Sequence, residues 1–281
     1  MYASTSLSSH SSRENSANHQ RVSAAAAASF KVVNGNTRLD RLYQQGSAKI
    51  RFPKNEGTDV EAVLINTAGG LTGGDQLSWD LRLRESTEVV ATTQACEKAY
   101  RSSDGIAQLG TQLHLGSSTT LHWLPQETIL YDGSALNRTF DVTMERRSTL
   151  LALESIVLGR EAMGETVTGC LFRDRWRIRR EGKLIFADDL KLEGKENALA
   201  GMSGNRALAS LLFIGDQDEE QMQALAGELR KLCPLNTSGF SAFNGKVTGR
   251  ILAQDSYSLR HALVPVLKFL RGSDLPRVWR I

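Results

Sequence analysis

The stretch Leu77-Ser78-Trp79-Asp80-Leu81-Arg82-Leu83 decides the fold. Every second residue is apolar and those between are polar, the period of a strand with one face on a core and one in water. The alternation recurs further along. Leu113 and Leu115 flank His114, Leu121 and Trp123 flank His122, and Phe140, Val142 and Met144 flank Asp141 and Thr143. Turn signals separate the runs, among them Gly69-Gly70, Gly73-Gly74, Asp104-Gly105, Gly116-Ser117 and Asp132-Gly133. From about Phe30 to Gly215 the chain therefore reads as many short strands, as in a sandwich, barrel or solenoid. No fixed-length repeat is written in it.

The last quarter changes period. Met222, Leu225, Ala226, Leu229 and Leu232 share one helical face behind a capping pair, Asp218 and Gln221, and Pro234 ends the run. A second helix is expected from Ser258 to about Leu270, with Pro265 kinking it or delaying its start. No linker divides the ordered part. Residues 1–28, rich in Ser, Ala and Asn, read as a disordered tail, and residues 29–281 as a single β domain. The rival reading makes Ala24–Ala28 part of a short helix docking on a partner.

The bulk numbers narrow the function. With 41% hydrophobic and 23% charged residues in 281, the chain can bury a core. A net charge of +3 gives no reason to propose nucleic acid. Cys96, Cys170 and Cys233 are far apart and odd in number, which fits a reducing compartment better than a disulfide framework. No apolar run reaches the roughly 20 residues that span a bilayer.

Enzyme signatures are missing. There is no GxSxG, HExxH, phosphate loop or GxGxxG after a strand. His114 and His122 could be neighbours across a hairpin, but nothing else converges on them, so two solvated histidines is the preferred reading. Gly69, Gly70, Gly73 and Gly74 crowd into Ala68–Asp75, which demands an unusual backbone path. The plainer account is a wide turn in which Asp75 caps its own backbone. Glu154 interrupts the apolar run Leu150–Leu158, so its carboxylate needs a partner, with Arg160 or Lys98 as candidates, or a route to water. Arg173, Arg175, Arg177 and Arg179 alternate with Asp174, Trp176 and Ile178 on one strand face. They read either as a docking surface for an acidic partner or as a charged edge strand.

Six blocks taken in order carry a resemblance. They are Gly46–Pro53, Asn66–Asp75, Thr93–Ser102, Trp123–Glu127, Leu158–Glu165 and Leu275–Trp279. Together they resemble the urease accessory protein UreD family, called UreH in some lineages, over about residues 30–281. One departure is Thr67-Ala68, where the family often has proline before the glycines. The resemblance implies a mainly β fold of stacked, solenoid-like sheets with two helices in the C-terminal third. It implies a cytoplasmic, non-catalytic scaffold that binds UreF, through it UreG, and the urease subunits. No tightly bound cofactor is implied, only transient Ni2+. An internal polar passage is implied too, with Asp75, Glu97, Glu154 and Asp188 at its acidic positions. Leu267, Leu270, Val278 and Trp279 are the expected UreF contact, with packing onto the sheet as the alternative. Two other classes remain open at this point: an acid/base hydrolase using Asp75 and Glu154, and a stand-alone β-structured binding module.

Overall fold

A computed structural model describes residues 21–54, 59–160, 163–194 and 202–280. The chain opens with β1 (Ser23–Val33), its hairpin partner β2 (Asn36–Gln45), β3 (Ala48–Arg51) and β4 (Val60–Asn66). It continues through β5 (Gln76–Leu83), β6 (Glu88–Thr93), β7 (Glu97–Ala99), β8 (Ala107–Leu115), β9 (Thr120–Trp123) and β10 (Thr128–Leu130). Then come β11 (Ala135–Met144), β12 (Thr149–Leu158), β13 (Cys170–Arg180), β14 (Lys183–Gly194) and β15 (Ala207–Ile214). The last elements are α1 (Glu219–Leu232), β16 (Ser238–Phe243), β17 (Lys246–Ala253) and α2 (Ser256–Arg271).

These strands wind as a β-solenoid of about 4 turns, stacking two sheets. One sheet has seven strands in the order β14-β13-β11-β8-β5-β1-β2, and its centre, from β13 to β1, is parallel. The other has ten strands and includes parallel β4, β6, β9 and β12 followed by antiparallel β15, β17 and β16. Alternation aims one set of side chains between the sheets, where Phe30, Leu81, Leu121, Phe140 and Trp176 are fully buried. Alternate residues of β12 and β15 face the other way, onto α1 and α2, forming a second core with Leu151, Leu211, Leu229 and Leu263.

Asp218 caps α1 and Gln221 returns the bond, the reciprocal pair expected from sequence. A late start at Pro265 is ruled out, because α2 runs through it from the Asp255 cap to the left-handed Gly272. The expected tail boundary also moves. Ser23–Ala28 lie inside β1, with Ala24, Ala26 and Ala28 buried between the sheets. Paired with β2 on one side and β5 on the other, this run is neither tail nor helix. Residues 1–20 lie outside the described residues.

Candidate functional site: a polar cavity between the sheets

The glycine loop ties two coils together. Leu71 donates to Lys98 O at 2.7 Å, and Tyr100 N donates back to Leu71 O at 2.8 Å. A Cβ on Gly70 would meet Tyr100 Cε2 at 2.4 Å, and one on Gly73 would meet Ser102 Oγ at 2.0 Å. Both positions are glycine because another segment lies against them. Asp75 completes this loop. Its Oδ1 accepts from Val22 N and its Oδ2 from Thr72 N, each at 2.8 Å. Asp75 is thus a buried backbone cap, the plainer of the two sequence readings.

Beneath the loop lies a cavity of about 310 Å3 between the sheets. Its wall includes Asn66, Cys96, Glu97, Gln126, Thr128 and Glu154. Asp75 does not line it. Glu97 sits near Asn66, whose Nδ2 donates to both carboxylate oxygens at 3.2 Å, and burial pushes its pKa up to about 7. Cys96 donates to Glu127 at 3.4 Å. Burial, reinforced by that carboxylate, pushes its thiol up to about 12, so it stays protonated.

Glu154 marks the inner end. Trp123 Nε1 donates to its Oε1 at 2.8 Å, and Arg138 Nη1 donates to its Oε2 at 2.5 Å. Arg138 belongs to the opposite sheet, where Asp174 grips it through Nε at 3.0 Å and Nη2 at 2.7 Å. All three charged groups are buried. The Glu154 carboxyl pKa is raised, because burial outweighs the guanidinium that pulls it back. Burial likewise opposes the Arg138 charge, but Asp174 and Glu154 outweigh it and raise its pKa. The partner of Glu154 is therefore Arg138, not Arg160 or Lys98. Arg160 pairs with Glu165 at 3.0 Å outside the sheets.

Asp188 lies off the cavity but at the end of the same row. Glu154, Ser210 and Arg250 stand side by side across β12, β15 and β17. Arg250 reaches Ser210 Oγ at 2.7 Å and, across to the other sheet, Asp188 Oδ2 at 2.6 Å. A polar seam thus runs from Glu97 through Glu154 to a half-exposed Asp188–Arg250 pair. Sequence reading missed Arg138, Asp174, Ser210 and Arg250. The period-two pattern held the signal for two of them: Arg138 shares the inward positions of Leu136 and Phe140, and Asp174 those of Phe172 and Trp176.

The remaining expected positions fall elsewhere. Arg173, Arg175, Arg177 and Arg179 do share the outer face of β13, but β13 is internal to its sheet, so the edge-strand reading fails. Arg177 is held by Asp189 at 2.6 Å, while Arg173, Arg175 and Arg179 stay exposed. Leu267 and Trp279 are buried in the helix-side core, and Leu270 and Val278 pack against it. Packing, rather than an open contact, explains these apolar residues, and α2 exposes Tyr257 and Phe269 instead. Trp279 Nε1 bonds Leu124 O at 3.0 Å, and Arg260 stacks on Trp279 while reaching Gln126 at 2.6 Å, which clamps the Trp123–Glu127 segment. His114 and His122 lie on different sheets. His122 is only part-exposed: Arg271 sits 3.2 Å from its Nδ1, and burial pushes its pKa down to about 4.

Among the described residues no group of three or more His, Cys, Asp or Glu is placed to hold a metal ion. Among the described residues no helix is long and apolar enough to cross a membrane.

Comparison with known proteins agrees with the six blocks. The family described as UreD urease accessory protein matches residues 22–280. The chain is 45% identical over 267 residues to urease accessory protein UreD of Rhizobium leguminosarum bv. viciae, covering 93% of this chain and 96% of that one. It is 44% identical over 259 residues to that of Agrobacterium fabrum, covering 89% and 88%, and 43% identical over 266 residues to that of a Chelativorans species, covering 93% and 95%. With the β-solenoid and the match running through nearly its whole length, the chain belongs to the UreD urease accessory protein family.

Proposed function

We propose that this chain is a non-catalytic scaffold of urease maturation. It binds UreF, through it UreG, and apo-urease, and it gives hydrated Ni2+ an internal path toward the urease active site. The observation that carries this reading is the cavity between the sheets, with Glu97 at its outer part and Glu154 at its inner end. The seam through Ser210 and Arg250 to Asp188 supplies a continuation.

The ligand chemistry supports passage over storage. Nickel is held tightly by imidazole and thiolate, and weakly by carboxylate and water. The cavity offers two carboxylates and a thiol that stays protonated. Sites good enough to enter and poor enough to leave are what conduction needs. The hydrolase alternative loses its acid/base pair, since Asp75 is spent on backbone N–H groups and shares no cavity with Glu154.

The test is co-expression with tagged urease subunits and the other accessory proteins, comparing wild type with Glu97→Gln plus Glu154→Gln. The complex forms in both, and the nickel content of the isolated urease falls sharply in the variant. Full nickel loading in an intact complex overturns the passage. A chain that stays monomeric and captures no urease overturns the scaffold and favours the stand-alone module.

A further inference from the structure

A buried guanidinium stands where a cation on this path meets Glu154. Asp174 grips Arg138 with two bonds, through Nε and Nη2, while Glu154 takes only Nη1. Nη1 also has a second acceptor at hand, Thr128 Oγ1 at 3.3 Å. Glu154 and Thr128 line the cavity, whereas Arg138 and Asp174 do not. Glu154 therefore lines the cavity with one oxygen held by Trp123 and the other by a singly attached arginine. Gln126, 6% exposed, also lines the cavity, and its Nε2 has no hydrogen-bond partner among the described residues.

Resting on the passage reading, we propose that Arg138 is a tethered counter-ion that makes Glu154 a divalent-selective exchange site. With the path empty, Nη1 neutralises Glu154. An arriving dication displaces Nη1 from Oε2, and Asp174 keeps the guanidinium in place beside Thr128. When the dication leaves, Nη1 returns, so Glu154 is never bare in a buried setting, a state that is strongly unfavourable. No covalent bond changes, and the cation keeps its charge.

Selectivity follows from the charge count. One arginine and two carboxylates give the group a net charge of −1. A monovalent cation offers Glu154 no more charge than the guanidinium already bonded to it. A dication doubles the Coulomb attraction and can displace it. Asp174 enters this account twice, by keeping the group anionic and by holding Arg138 when it is displaced. Arg138 and Asp174 are positioning residues in this scheme, and Glu154 alone touches the ion.

Equilibrium dialysis of Ni2+ alone against the full-length chain tests it, with Glu154→Gln and Asp174→Asn checked for wild-type circular dichroism. Glu154→Gln loses the site. Asp174→Asn, which leaves Glu154 and the cavity wall intact, weakens Ni2+ binding at least tenfold, and excess Na+ displaces little Ni2+ from wild type. If Asp174→Asn binds like wild type while Glu154→Gln does not, the counter-ion role is overturned and the passage stands. If all three bind alike, the passage falls and this proposal with it. A second measurement needs no variant: the assigned Arg138 Nε–H resonance of wild type moves on adding Zn2+ as a diamagnetic dication. A resonance that stays still overturns the exchange.

Discussion

Trp123 and Glu154, on neighbouring strands of one sheet, are joined by an indole N–H donating to Oε1 at 2.8 Å inside the protein. This is a neutral donor on a charged acceptor, and both residues line the cavity. Removing the donor takes away the protein's own partner of Oε1. Trp123→Phe keeps a ring but no N–H, and it should lower stability by about 1.5–3 kcal/mol. Urea denaturation would show a lower midpoint at unchanged slope. An unchanged midpoint would mean that another donor reaches Oε1.

Asp75 gives a contrasting result. Each of its oxygens satisfies a backbone N–H. Asp75→Ala strips both and should cost about 2–4 kcal/mol in a urea melt. The folded variant should take up Ni2+ like wild type, because the carboxylate does not face the cavity. Loss of uptake without loss of stability would place Asp75 on the path after all.

Glu97 makes the protein respond to pH near neutrality. Its folded pKa of about 7 lies above the ordinary 4.5, with burial as the main cause. Between those values the folded state holds a proton that the unfolded state has released. Stability therefore falls as pH rises through this window, by at most about 3 kcal/mol, and the loss is complete above it. Glu97→Gln should melt higher than wild type at about pH 8 and alike at about pH 4. Ni2+ uptake by wild type should climb over the same interval, as the proton ceases to compete.

The outer face of β13 makes a separate prediction. Arg175→Glu with Arg179→Glu changes two exposed residues, leaving the Arg177–Asp189 pair untouched. Pull-down of apo-urease should weaken, more so at low salt, with the melting curve shifted by no more than about 0.5 kcal/mol. Undiminished capture would free this face of any docking role.

The C-terminal turn is structural. Trp279 is 2% exposed, and it holds Leu124 O while supporting Arg260. Trp279→Ala should cost about 3–5 kcal/mol. Thermal unfolding checks this, and a change near zero would contradict the clamp on the Trp123–Glu127 segment.

The strand content was legible because period two survives wherever one face meets a core, as in Leu77–Leu83. The cap at Asp218 and the stripe of α1 were legible for the same local reason. The Ala24–Ala28 strand was hidden, since alanine carries little strand preference and its place is set by the opposing sheet. Arg138 and Asp174 were visible as polar residues at inward positions, but their pairing with Glu154 spans two sheets. Pairing at that range depends on the coil stacking, which no local pattern contains. The burial of Leu267 and Trp279 was hidden likewise, because an apolar tail reads the same whether it packs inward or waits for a partner.

Both borders of the seven-stranded sheet are hairpins that fold back against the parallel run, β2 on one side and β14 on the other. Each carries a register shift, at Ser29/Phe30 and at Ile178/Arg179. A coil of this type could in principle go on adding strands without limit. A twisted antiparallel margin bearing Arg38 and Arg41, or Lys183 and Lys191, offers a neighbouring molecule no matching rim. Antiparallel pairing and like charge at both margins of this sheet disfavour the addition of a further strand from another copy.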